Sequence, residues 1–152
     1  MLVYRLARSK YPIALSGIGA AMSGNRWNSK GTEIVYCAES RALAVAEVAV
    51  HLTLATLPKD YVMLQIEIPK ELNQQVIDVD DLPTAWNIFP HSPFTQRIGD
   101  RFIRERLAPV LKVPSAVVPG DYNYLLHPFH PDFKAIEIVG TSAFPLDERL
   151  FS

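Results

Sequence analysis

Apolar and polar positions alternate most cleanly at two places in the chain. Residues 2–7 (LVYRLA) alternate enough for a first strand, with Pro12 marking its end, and residues 61–68 (YVMLQIEI) alternate up to Pro69. A turn at Asn28, Ser29, Lys30 and Gly31 leads into an expected returning strand over 33–38. Ser40 is placed to cap a helix from Arg41 to about Leu54, ended well before Pro58. That helix (ALAVAEVAV at its heart) has almost no polar face, which predicts a central element covered on most sides. Residues 95–107 put Ile98, Phe102, Ile103 and Leu107 on one face, an amphipathic helix. Shorter strands are expected over 76–78, 114–118 and 135–139, with an ordered Pro- and aromatic-rich loop over 80–94. A His- and Pro-rich loop is expected over 123–131. Strands with two helices between them, not in strict alternation, predict a single mixed α+β domain of unspecified strand order.

Composition narrows the class. A chain of 152 residues, half apolar and a fifth charged, is large enough for one well-buried core and short for two. A net charge of −1 without a run of one sign argues against a phosphate-tracking face for duplex nucleic acid. A small anionic ligand needs only one or two well-placed arginines. The lone cysteine, Cys37, has no disulfide partner and no zinc pattern, so a reducing cytosol is expected and an inert buried thiol is favoured over a catalytic one. Arg5, Arg8 and Lys10 before PIALSGIGAAMSG resemble a secretory signal superficially. The VYRLA alternation reads instead as strand, and no window has the ~18 apolar residues of a membrane span.

Glu47 is the one carboxylate in an apolar helix, and an unpaired charge there costs several kcal/mol or neutralises. It is either one half of a structural ion pair with an arginine or it faces a pocket. His51 lies one turn along; as a Glu–His metal pair it lacks a third ligand, and a packed histidine is the plainer reading. Arg26 offers a planar fork that matches a diphosphate, or serves as an ordinary surface or ion-pair residue. Tyr36 reads as a core tyrosine and Ser115 as a loop serine unless they join the same site. Two glycine motifs fail: Gly17-Ile-Gly19 lacks its third glycine at the right distance, and Gly19 to Gly24 is followed by Asn25-Arg26 where Lys-Ser/Thr is required. Residues 14–24 are better read as a flexible loop or short helix leading into the site.

Together the segments GNRWNSKGTEIVYCAESRALAVAEVAVHL and VPSAVVPGDYNYLLHP, with the YRLA start, resemble the RES domain family over residues 1–152. That family is named for an arginine, a glutamate and a serine, which match Arg26, Glu47 and Ser115 here, with Tyr36 as its strand tyrosine. One departure is His127, where an asparagine is expected before the proline. The resemblance implies an ADP-ribosyltransferase-like fold, a split pair of sheets gripping NAD. It implies the toxin of a bacterial toxin–antitoxin pair, cytoplasmic, held in a hetero-oligomer by an Xre-type helix-turn-helix antitoxin that blocks the pocket. NAD is then a consumed substrate, with no resident cofactor or metal, no direct nucleic-acid binding and no membrane.

On that resemblance Glu47 steadies the oxocarbenium-like ribose as nicotinamide departs. Arg26 holds the diphosphate, Tyr36 stacks on the nicotinamide or bonds near the ribose, and Ser115 adds a hydrogen bond to the dinucleotide. Glycohydrolase or phosphorylase chemistry is expected first. ADP-ribose transfer to a protein through the same pocket is the alternative, and a non-enzymatic binding module with Glu47 and Arg26 as a structural pair is a third. The acceptor and the stoichiometry with the antitoxin are not legible.

Overall fold

The computed structural model describes residues 1–151. Its strands form one seven-stranded sheet: β1 (Leu2–Arg8), β2 (Val35–Ala38), β3 (Tyr61–Glu67), β4 (Gln74–Val76), β5 (Val110–Pro114), β6 (Tyr122–Leu126) and β7 (Glu137–Ala143). They lie in the order β4-β5-β6-β2-β1-β3-β7, antiparallel throughout except for the parallel β4–β5 pair. The helices are α1 (Ile18–Ser23), α2 (Arg41–Ala49) and α3 (Pro93–Glu105). This is the expected mixed α+β domain.

The expected split shows as a pinch in the middle of one sheet. β1 pairs with β3 along its full length, whereas β1 and β2 share a single rung, Tyr4 opposite Ala38. The same register would set Arg5 against Cys37 and Leu6 against Tyr36, and the ladder does not continue there. In its place the Arg5 side chain donates from Nη1 to the Tyr36 carbonyl at 2.8 Å.

Strand alternation sorts the core onto two faces. Val3, Val35, Leu64, Ile66 and Leu126 point to one face, which is covered by Leu15, Leu72 and Phe133 from the connections. On the other face α3 packs Phe102 against Trp27, Ile34, Leu111 and Leu125. α2 packs Leu43 and Ala44 on that same face, against Leu6, Ala38 and Met63. The two helices therefore flank the pinch.

Three expectations change. The helix after Ser40, whose Oγ accepts from the Leu43 N–H at 3.0 Å, ends at Ala49 rather than near Leu54. It is also not covered on most sides: only Leu43 and Ala44 are buried. Ala44 and Val48, with Leu52 past the helix end, line one cavity, and Val50, the C-cap residue, lines another. The strand expected over 114–118 lies earlier, at Val110–Pro114, and the loop expected over 123–131 begins with a buried strand, β6. β6 is buried on both faces from Asn123 to Leu126, so its sequence does not alternate.

Candidate functional site

The segment 25–28 is seated by α3. Gly24, at φ +73°, turns the chain out of α1 in a conformation that suits glycine. Gln96 then donates to the carbonyls of Asn25 at 3.0 Å and Asn28 at 3.2 Å, and Thr95 Oγ1 donates to the Arg26 carbonyl at 2.7 Å. Gly99 lets the helix come close: a Cβ there would stand 1.5 Å from the Trp27 carbonyl oxygen. Tyr36, from β2, completes the seat by donating its hydroxyl to Asn28 Oδ1 at 2.7 Å and accepting the Trp27 N–H at 3.0 Å. Burial raises the Tyr36 phenol well above its ordinary range, and the Trp27 N–H offsets only part of this.

Arg26 then reaches across to the 80–94 loop. Its Nη1 donates to the carbonyls of Trp86 at 3.1 Å and Ile88 at 2.7 Å. Nε and Nη2 donate to no group among the described residues, leaving one edge of the fork free. Burial lowers the guanidinium from its usual value, Glu47 and Tyr36 pull it back, and an arginine stays charged throughout such shifts.

Glu47 comes from the opposite direction, on α2. Its Oε1 accepts from Ser115 Oγ at 2.6 Å and from Asn123 Nδ2 at 2.7 Å. Ser115 is 3% exposed and Asn123 9%. Ser115 also accepts the N–H groups of Val117 at 3.1 Å and Val118 at 2.9 Å, so its hydroxyl is fully engaged in placing the carboxylate. Glu47 Oε2 accepts no hydrogen bond, and Glu47 takes part in no ion pair, among the described residues. A structural Glu47–Arg26 pair is therefore not what the fold builds.

Two cavities meet at Glu47. The smaller, about 270 Å³, lies in the pinch between Tyr4, Arg5 and Leu6 on β1 and Tyr36, Cys37 and Ala38 on β2. The larger, about 450 Å³, is walled by Arg26, His51, Asn87, Phe89 and His91. Glu47, His51 and Asn25 line both. Cys37 is buried and burial pushes its thiol up to about 12, which leaves it protonated and unreactive. His91 is lowered by burial and by the neighbouring Arg26 and His51 charges, which keeps it neutral near pH 7. Among the described residues no three His, Cys, Asp or Glu side chains gather as a metal would require.

Of the residues singled out in the sequence, Glu47, Arg26 and Tyr36 border this paired cavity, and Ser115 stands behind Glu47. Sequence reading missed Asn123, Asn87, Phe89, His91 and Arg5. Asn123 alone carried a signal: in YNYLL it shares a strand face with Leu125, a polar group on an inward side.

The RES domain profile matches residues 2–147. The chain is 42% identical over 153 residues to the protein named Toxin Res of Photorhabdus laumondii, an alignment covering 99% of this chain and 97% of that one. It is 37% identical over 138 residues to the Prs ADP-ribosylating toxin of Sphingobium sp., covering 90% and 86% respectively. Its fold is similar to a chain in the crystal structure of the M. tuberculosis MbcT–MbcA toxin–antitoxin complex. There the TM-score is 0.75 over 99% of this chain and 86% of that one, at 18% identity.

Proposed function

The chain belongs to the RES domain family, and on that premise we propose that it is the toxin of a toxin–antitoxin pair and cleaves the nicotinamide–ribose bond of NAD. The observation that carries this is the state of Glu47. One carboxylate oxygen is held by two buried side chains while the other is left open at the junction of two cavities.

Such a carboxylate suits a reaction that builds positive charge on a sugar. As the C1′–N bond breaks, its electron pair leaves with nicotinamide and the ribose becomes oxocarbenium-like. Oε2 accepts hydrogen bonds from the ribose hydroxyls, and that contact strengthens as charge develops. Water or inorganic phosphate then adds at C1′; with water, the products are nicotinamide, ADP-ribose and one proton. Nicotinamide leaves as a neutral base and needs no acid. The free edge of Arg26 faces the diphosphate, and the Tyr36 ring forms a wall beside the departing base.

Ser115 and Asn123 act through Glu47 as positioning residues, a change from the expectation that Ser115 bonds the dinucleotide itself. The name of the Sphingobium relative favours a second reading, transfer of ADP-ribose to a protein acceptor from the same pocket. The solved complex with a similar fold supports an antitoxin partner, proposed here as an Xre-type protein covering the cavity mouth in the cytoplasm.

The test is nicotinamide release from NAD by the purified chain free of antitoxin. Glu47→Gln is expected to lower the rate about a hundred- to a thousandfold, as loss of a preorganised electrostatic contact does, with an unchanged circular dichroism spectrum. Normal turnover by Glu47→Gln would end this reading. Incubation with NAD and a candidate protein acceptor, followed by mass measurement, separates hydrolysis from transfer.

A further inference from the structure

α3 also borders a groove that shares no lining residue with the two cavities at Glu47. Thr95, Gly99 and Phe102 of the helix are buried. Arg97, Arg101 and Arg104 are exposed, four and three residues apart, which sets them in one stripe. Arg101 pairs with Glu105 at 3.3 Å. Arg97 and Arg104 make no ion pair or hydrogen bond among the described residues. Like charges one turn apart weaken a helix, so the stripe is a cost to the chain standing alone.

The stripe lines a groove of about 570 Å³ together with Ile77, Phe94 and Ile98. An adjoining hollow of about 280 Å³ shares Ile77, Ile98 and Arg101 and continues beside Gln75 and Val76 of β4, an edge strand of the sheet. Ile77 and Ile98 are partly buried against the core, so the basic rim stands over an apolar floor. Two carboxylates also line the groove, and both are engaged elsewhere. Asp100 accepts the Ser29 N–H at 3.0 Å and its hydroxyl at 2.6 Å, and Asp81 accepts the Asp78 N–H at 3.1 Å.

Unpaired guanidiniums call for carboxylates or phosphates. A nucleic-acid backbone would carry its phosphates past Asp81 and Asp100 and leave the apolar floor uncovered. A helix with acidic residues three and four apart repeats the rise between the arginines, about 4.5 and 6 Å, whereas same-side residues of an extended strand fall about 7 Å apart. The apolar side of such a helix covers the floor, as an amphipathic helix does in a groove.

We propose that this groove docks an acidic amphipathic helix of a partner protein, its carboxylates against Arg97, Arg101 and Arg104 and its apolar side over Ile77, Phe94 and Ile98. The surface is separate from the Glu47 site, and the proposal does not depend on the reaction assigned there.

The experiment follows fluorescence anisotropy of labelled probes titrated with the full chain. The probes are a peptide of about 18 residues with glutamates three and four apart beside a leucine face, a scrambled peptide of the same composition, and a single-stranded RNA of similar charge. The patterned peptide is expected to bind at least about tenfold more tightly than either of the others, and less tightly as salt rises. Joint substitution of Arg97→Glu, Arg101→Glu and Arg104→Glu is expected to weaken it at least about tenfold with an unchanged circular dichroism spectrum. Phe94→Ala is expected to weaken it about threefold through the floor alone. No binding of the patterned peptide, equal binding of the scrambled one, tighter binding of the RNA, or indifference to the arginine substitutions overturns the proposal. So does self-association of the chain that the same substitutions abolish, which would make a second copy the occupant. Nicotinamide release by the unmodified chain tests the reading of Glu47 and leaves this one untouched.

Discussion

Glu47 and Arg26 face the same space but are held by opposite means. Glu47 is fixed by side chains: Ser115 at the end of β5 and Asn123 on β6 both donate to Oε1. Arg26 is fixed by main chain, its Nη1 spanning the carbonyls of Trp86 and Ile88 in an irregular loop. The carboxylate thus stands on the rigid sheet, and the guanidinium stands on a loop that it helps to hold. Electrostatic stabilisation of a transition state gains from a donor or acceptor that does not move, whereas gripping a flexible diphosphate does not demand it. Under the proposed function, the contrast supports chemistry at the first arm and binding at the second.

Four changes break or sharpen that contrast. The largest after Glu47→Gln is the pair Ser115→Ala with Asn123→Ala, which releases Oε1. Initial-rate kinetics are expected to show kcat down about a hundredfold with KM little changed, each single variant giving roughly tenfold. A change confined to KM would place Glu47 among the binding groups. Arg26→Ala is expected to do the reverse, raising KM for NAD about tenfold or more, the weight of a charge-assisted contact. It also frees the Trp86 and Ile88 carbonyls, so hydrogen exchange over 84–92 should quicken. A collapse of kcat at constant KM would erase the distinction.

Tyr36→Phe keeps the ring and removes the hydroxyl that ties Asn28 and the Trp27 N–H to β2. Denaturant titration should show a loss of about 1–3 kcal/mol, with turnover at saturating NAD far less affected than in the Ser115/Asn123 pair. The smallest effect is in pH. Each arm carries a histidine lowered first by burial: His91 beside Arg26, and His127 just past β6. The His127 Nδ1 accepts the Phe129 N–H at 3.1 Å and Nε2 lies 2.8 Å from the Ile103 carbonyl, which together specify the neutral ring. For both, the unfolded chain takes up its proton first. Their stabilisation is therefore complete above the unfolded value of about 6.5 and is lost as pH falls through the lower folded value. Melting temperature against pH should decline below that point, and His91→Asn and His127→Asn should each flatten part of the decline.

Much of this was legible where the pattern is periodic. β1 and β3 kept enough alternation to be read although each buries residues on both faces, Val3 and Leu6 in β1 and Met63 and Leu64 in β3, and the amphipathic α3 showed its stripe. β6 was lost because both its faces are buried, so YNYLL offers no period and the histidines and prolines after it dominate the window. α2 was misjudged for a related cause. Its apolar positions were read as buried in protein, while several of them wall a cavity. The same error hid the partner of Glu47. Ser115 was recognised from its motif, but that its hydroxyl serves the carboxylate, and that Asn123 joins it, depends on strand order, which local pattern does not contain. Phe89 and His91 sit in a loop without periodicity, where only three-dimensional placement gives them meaning.

The single rung between Tyr4 and Ala38 shows how a small domain can own a binding chamber without hollowing itself out. The space stands where two strands stop zipping, so neither packed layer surrenders volume to it, and one backbone carbonyl left over, that of Tyr36, is taken up by the Arg5 side chain. Enlarging such a chamber means unfastening more of a seam rather than carving a core, a route that leaves the hydrophobic interior on both sides intact.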